Sequence, residues 1–303
     1  MTGVGGYRGI IGKGISFGGT DGIGTPSSDF DLDPDAEAFI LSFNNETSST
    51  MGATQQSALN NRVLRMKGIL TDIPHPSKPI WSKIHADYPM CPIDSSSASL
   101  DGFKLNLVDP RDLDAAFRIS WFNSPPVSTS GITGNNSGYG DTHFNPSTDS
   151  TQNSFGLNNK CVTDNTASGQ VEMGIRRSTQ SLSSVINRFF GGDLTIWASN
   201  CDWSDWVSTS TSNNSEGIFH SERTSSNLLT GYQDGVSRGT NTAPSELNVN
   251  GNIYVLARNL QGSGAEAPCN GRTYTSFGLH QGLDSDEVEN YEYIINQFDI
   301  EAR

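Results

Sequence analysis

The stretch SFGLHQGLDSDEVENYEYIINQF, residues 276–298, begins as a strand and turns within a few residues into the best-marked helix of the chain. Asp284 stands at the N-cap and Glu287 three residues later, a capping box with Asp in the place of Ser or Thr. Leu283 and Val288 flank the cap in the staple positions. Asp286, Glu287 and Glu289 put negative charge in the first turns, where the helix dipole favours it. Val288, Tyr291, Ile295 and Phe298 form an apolar stripe at spacings of three, four and three. One helix of this length is marginal alone, so it must dock on a sheet. Its acids therefore read as capping and solvating groups rather than as catalytic or metal-binding ones.

Upstream of this helix the sequence reads as β. From about residue 100 the apolar period is two, in DGFKLNLV (Phe103, Leu105, Leu107) and AAFRISWF (Phe117, Ile119, Trp121). Further candidate strands are SFGLNNKCV, QVEMGIRR, SLSSVINRFF, DLTIWASN, EGIFHSER, NLLTGYQDG, NIYVLARN and TYTSFGLHQ. Turn chemistry separates them, with Asn-Gly at 250 and 270, Asp-Gly at 101 and 234, and Gly-Gly at 191. About ten short strands at this spacing predict a sandwich or jelly roll rather than a parallel α/β sheet.

Residues 36–90 read as helical. Leu59, Val63, Met66 and Leu70 make one amphipathic stripe, and Ile80, Trp81, Ile84 and Tyr88 a second that Pro89 ends. TDIPHPSKP between them is an irregular connection. Residues 1–35 carry ten glycines before Pro26, then the acidic run DFDLDPDAE. Tyr7, Ile10, Ile11, Ile15 and Phe17 are apolar residues that a pure linker would not need, which predicts an attachment arm.

Composition narrows the function classes. Only 34% of the 303 residues are hydrophobic and 17% charged, and the net charge is −14. With nothing basic and continuous to release counterions, a nucleic-acid backbone is not an expected partner, nor is an anionic membrane surface. No run approaches the ~18 apolar residues of a membrane span. The first residues lack the apolar core of a secretory signal, so Cys91, Cys161, Cys201 and Cys269 are expected as free thiols rather than disulfides. Their wide spacing also speaks against a zinc site.

Two resemblances follow from these residues. GYQDGVSRGTNTAPSELNVNGNIYVLARNLQG (231–262), followed by the closing strand and helix, resembles the end of laminin-G-like, concanavalin A-like jelly rolls. Gly282, Leu283, Asp284, Asp286 and Glu287 match the ending of that group. IWSKIHADYPM (80–90), FKLNLVDPRDLDAAFRISWFN (103–123) and GYGDTHFNPSTD (138–149) are similar, in this order, to a family of bacteriophage virion and prophage proteins. That family includes predicted tail-fibre, head-fibre and other appendage proteins. The resemblance covers residues 50–300 and implies a mainly β protein. A Gly-rich attachment arm (1–35) and a helical linker segment (36–90) would precede a concanavalin A-like jelly-roll sandwich closed by the C-terminal helix (91–303).

Motifs for chemistry are weak. GISFG and GVSRG match G-x-S-x-G without the strand-to-helix elbow a nucleophile needs. The paired carboxylates of jelly-roll glycosidases are absent, and the five histidines show no ligand spacing. No catalytic residue, cofactor or metal is therefore expected. Asp141, Asn145, Asp149, Asp202 and Asp205 offer oxygens for calcium, but such residues more often make Asx turns. Glycan contact is expected of exposed aromatics beside polar groups: Tyr139 and Asp141 in one loop, Asp202, Trp203, Asp205 and Trp206 in another. The expected function is a virion structural protein, held to other virion proteins by its arm and displaying a lectin-like domain to host surface polysaccharide. By analogy it would be a homotrimer. The alternatives are a polysaccharide hydrolase or lyase on the same fold, and a bacterial adhesin or lectin.

Overall fold

The computed structural model describes residues 32–90, 100–165, 169–177, 181–189, 194–202, 204–209 and 214–303. The arm residues Tyr7, Ile10, Ile11, Ile15 and Phe17, together with Cys91 and Trp203, lie outside the described residues. Leu32–Arg303 forms one unit.

Two almost wholly antiparallel sheets make up the body. The first runs β13 (Val236–Asn241), β12 (Leu228–Gln233), β11 (Gly217–Ser225), β6 (Phe155–Cys161), β17 (Asn270–His280), β4 (Gly131–Asn135), β3 (Val127–Ser128). β1 (Ile84–Pro89) also pairs with β17. The second runs β10 (Val207–Thr209), β9 (Leu194–Asp202), β8 (Ser181–Phe189), β7 (Met173–Arg176), β14 (Tyr254–Val255), β5 (Tyr139–Asp141), β2 (Ser120–Phe122). β15 (Arg258–Leu260) lies parallel to β7 and antiparallel to β16 (Gly264–Glu266). The expected mainly β sandwich is thus what the chain forms. Between the sheets, Phe155, Leu157, Phe219, Phe277 and Leu279 meet Met173, Ile175, Leu182 and Trp197, all fully buried. At the β12–β13 hairpin Asp234 and Gly235 both take positive φ (51° and 71°), as the twist of a two-residue hairpin requires. Cys161, Cys201 and Cys269 are buried free thiols.

The helices are α1 (Pro34–Thr47), α2 (Ala53–Met66), the short α3 (Pro146–Asp149) and α4 (Ser285–Glu301). α4 has the predicted cap: Asp284 accepts from the Asp286 and Glu287 amides, and the Glu287 carboxylate accepts from the Asp284 amide. Leu283, Val288, Tyr291 and Ile295 are fully buried, and Phe298 is 2% exposed. α2 packs beside α4, tied by Arg65 to Glu301 (2.6 Å). Both cover the outer face of the first sheet. There the Asp87 carboxylate of β1 receives two bonds from the Arg62 guanidinium (2.6 and 2.8 Å) and one from the Tyr291 hydroxyl (2.8 Å). Arg62, Asp87 and Tyr291 are all fully buried.

Three expectations need correction. Residues 80–89 are not a helix: a single 3-10 turn, Trp81–Lys83, leads into β1. β4 covers only the first half of one edge of β17, and β1 satisfies the backbone groups along the rest, Ile84 to Pro89 against His280 to Ser276. The apolar spacing fits both forms, because Ile84 faces α4 while Ala86 and Tyr88 enter the core. Pro89, without an N–H, sits at the end of the strand, where that loss is tolerated. Residues 103–107 form no strand, although Phe103, Leu105, Asn106 and Leu107 are all buried and the Leu107 amide donates to the Asp87 carbonyl of β1. The Asn106 side chain takes up the neighbouring backbone groups, accepting from the Asp87 amide and donating to the carbonyls of His85 and Ala116. Segment 36–90 is accordingly no linker: α1, α2 and β1 are layers of the sandwich unit itself.

Arg62→Met leaves the Asp87 charge buried without its counter-ion, and we expect a loss of about 3–5 kcal/mol in equilibrium urea unfolding. Tyr291→Phe removes one hydroxyl donor from the same carboxylate and should cost less, about 1.5–3 kcal/mol.

Candidate functional site

On the outer face of the second sheet, three rings from three neighbouring strands stand in a row. Phe122 of β2 is directly opposite Tyr139 of β5, with ring centroids 4.8 Å apart and planes at 11°. Tyr139 stacks in turn on Tyr254 of β14 at 5.0 Å and 25°. The period-two alternation puts them there: Gly140 and Val255 are buried while Tyr139 and Tyr254 point out. β2 is an edge strand, so among the described residues no neighbouring strand covers the outer face of the Phe122 ring. Phe122 is 43% exposed.

Polar groups line the row on the same face. Ser120 stands opposite Asp141, and Tyr254 opposite Asp141 from the other side. The Asp141 carboxylate accepts from the His143 amide (2.8 Å) and from the Asn252 side chain (3.2 Å). His143 Nε2 lies 2.8 Å from the Ser120 hydroxyl and 3.4 Å from Asp114. Burial, and then the Asp141 carboxylate and Tyr139, push the Tyr254 phenol up, so it stays a hydrogen-bond donor. Opposite Tyr254 on β7 stands Gly174, which adds no side chain to the row. Beyond it Arg176 and Arg258 both pair with Glu266. The arrangement offers an open apolar ring face bordered by oriented donors and acceptors. That is the pattern for holding a polyhydroxylated ligand with one apolar face.

Of the residues expected at a glycan site, Tyr139 and Asp141 are in this row. Asp202, Asp205 and Trp206 are not. They lie at the β9–β10 end of the same sheet, four strands away and so roughly 19 Å distant. Trp206 is half-buried, packed against the core and against Val171 and Ile196. The two loops therefore do not form one site. Asn145 caps α3, accepting from the Ser147 amide, and the Asp149 carboxylate accepts from the Asn145 amide, so both serve the turn. The residues that sequence reasoning passed over are Phe122 and Tyr254, each in a segment read only as a strand. Their signal was an aromatic in the outward phase of a period-two pattern, as in NIYV, where Ile253 and Val255 are buried on either side of Tyr254.

No family model matches the sequence, and no curated protein matches it. Among solved structures, the chain is similar to domain 4 of AbnA, an extracellular arabinanase from Geobacillus stearothermophilus, in complex with arabinotriose. Identity is 14%, the match covers 69% of this chain and 98% of that one, and the TM-score is 0.43. It is similar to the sialidase of Trypanosoma rangeli at 11% identity, over 80% of this chain and 38% of that one (TM-score 0.43). For the binding domain of botulinum neurotoxin serotype D the identity is 8%, over 70% of this chain and 52% of that one (TM-score 0.44).

Replacing the middle ring, Tyr139→Ala, breaks two stacked pairs and should cost about 1–3 kcal/mol. Phe122→Ala breaks one, for about half as much, and both losses are measurable by denaturant unfolding.

Proposed function

We propose that this chain is a carbohydrate-binding β-sandwich and that the sugar packs on the free face of Phe122, at the end of the Phe122–Tyr139–Tyr254 row. The observation that carries this reading is the ring left uncovered on an edge strand, with oriented Ser120, Asp141 and Asn252 groups beside the row. Sugars present a C–H face to an aromatic ring and hydroxyls to flanking polar groups, so this surface meets both halves of the ligand. Binding rather than turnover is proposed because the row lies on an open sheet face rather than in a cleft. A hydrolase needs a carboxylate pair spanning a cleft.

The test is binding of the full chain to immobilised bacterial surface polysaccharides. Phe122→Ala should weaken retention about tenfold, the equivalent of ~1.4 kcal/mol. Asp205→Asn, at the far end of the sheet, should leave it unchanged. Undiminished binding by Phe122→Ala would remove the proposal, and reducing sugar released during the assay would favour the hydrolase.

The proposed setting is a bacteriophage particle, supported by the resemblance of residues 80–149 to appendage proteins. In that setting residues 1–31 are the arm, and many weak sites act by avidity. The boundary follows from Asp33, which caps α1 and pairs with Lys67 at 2.6 Å, so the folded unit begins before residue 35. Removing residues 1–31 should keep the unfolding transition and abolish co-sedimentation with particles. A stable monomer of the full chain in light scattering would overturn the homotrimer.

A further inference from the structure

Beneath α4, the outer face of the first sheet holds a closed cluster of His220 and Glu222 on β11 and His280 on β17, each fully buried. Register sets them together. Glu222 and His280 both stand opposite Gly156 of β6, and His220 stands opposite Asn158. Gly156 makes the room, since a Cβ there would lie 2.2 Å from the His280 ring and 2.4 Å from Glu222 Oε2. Glu222 Oε1 is 3.3 Å from His220 Nδ1 and 3.6 Å from His280 Nε2. One ligand atom from each residue falls within 4.8 Å of the others.

From this geometry we propose that His220, Glu222 and His280 form a buried structural site for a zinc-class divalent cation. Two zinc bonds of about 2.0–2.2 Å at a tetrahedral angle set ligand atoms about 3.3–3.6 Å apart. The two contacts to Glu222 match that separation, and the two ring nitrogens close onto it with a shift of at most about 1.5 Å. His280 has the outer partner that metal-bound histidines require. His280 Nδ1 donates to the Gln281 carbonyl (2.9 Å), which leaves the Nε2 lone pair facing Glu222. His220 Nε2 faces Glu292 Oε1 at 3.7 Å. Glu222 Oε2 accepts from the Leu283 amide (2.9 Å), which aims Oε1 at the two rings.

The loose ends of the cluster point the same way. His220 Nε2, His280 Nε2, Glu292 Oε1 and both amide atoms of Asn158 are buried without hydrogen-bond partners. Such a concentration in one place calls for a missing ligand. One divalent cation binds the Glu222 carboxylate and both imidazoles, while Asn158 adds a polar group beside His220. Imidazole with carboxylate suits zinc better than calcium or magnesium, which prefer all-oxygen sets. Glu292 also lines a surface groove of about 370 Å³ with Asp234, Glu289 and Tyr293, so the cation has an acidic approach from solvent.

The full chain, stripped with chelator and dialysed, should take up one zinc per molecule by elemental analysis. Its Tm should rise by about 4–5 °C when free zinc is a hundred times Kd. Cobalt in place of zinc should give the visible absorption of a four-coordinate site. Glu222→Gln, which keeps the shape, should lose both the stoichiometric metal and the cobalt bands. If that variant does not fold, X-ray absorption of the zinc-loaded wild type decides, with two imidazoles in the coordination shell expected. An unchanged Tm with zinc, no cobalt bands, or bands that persist in Glu222→Gln would each overturn the site.

Discussion

The Asp87 carboxylate is sealed between a sheet and two helices, and it holds those layers in one arrangement. Its partners come from opposite ends of the chain, Arg62 from α2 and Tyr291 from α4, while Asp87 itself belongs to β1. A buried ion pair contributes little net stability against a well-packed apolar replacement, but separating its members is expensive. Only one docking of α2 and α4 on the sheet answers the charge. The Arg62 side chain also reaches Ser276 of β17 and lies over the Phe298 ring, so the same group touches both layers.

This docking makes the two outer faces of the sandwich different. Helices cover the first sheet, so its outward residues, which would meet water in a plain sandwich, become a buried polar layer. Lys160 pairs there with Asp299 at 2.6 Å, and Thr275 donates to the same carboxylate. His220, Glu222 and His280 belong to this layer, and it is the covering that turns ordinary outward positions into a closed cluster. On the second sheet, the β2–β5–β14 end stays accessible. There the outward positions carry rings that stack across strands, a common means of stabilising neighbouring strands that here also leaves an apolar surface toward solvent.

The elements legible in the sequence share one property: their stabilising contacts are local. The cap of α4 uses groups within three residues of each other, and the Asp234–Gly235 turn depends on two adjacent backbone conformations. Most strands of the second half were legible through alternation alone. The misread segments are those whose partners are remote. Residues 84–89 carry apolar spacings that suit a helix, and the open edge of β17, almost two hundred positions later, makes them a strand. Tyr139 was legible as an exposed aromatic, whereas Phe122 and Tyr254 gain their meaning only from standing beside it. The loop at 202–206 looked equivalent in composition, yet strand order places it at the other end of the sheet.

By itself, the sequence determined the fold class, the closing helix with its cap, the Asp234–Gly235 hairpin turn and the alternation of most strands. Period, capping and turn preference are short-range effects written in neighbouring residues. Tertiary structure alone decided that β1 joins the sheet, that the helices cover one face, and that three aromatic rings align on the other. It alone brought His220, Glu222 and His280 together beneath α4. Each of these rests on register between strands far apart in the chain, and register is set by which backbone groups and buried charges remain to be satisfied.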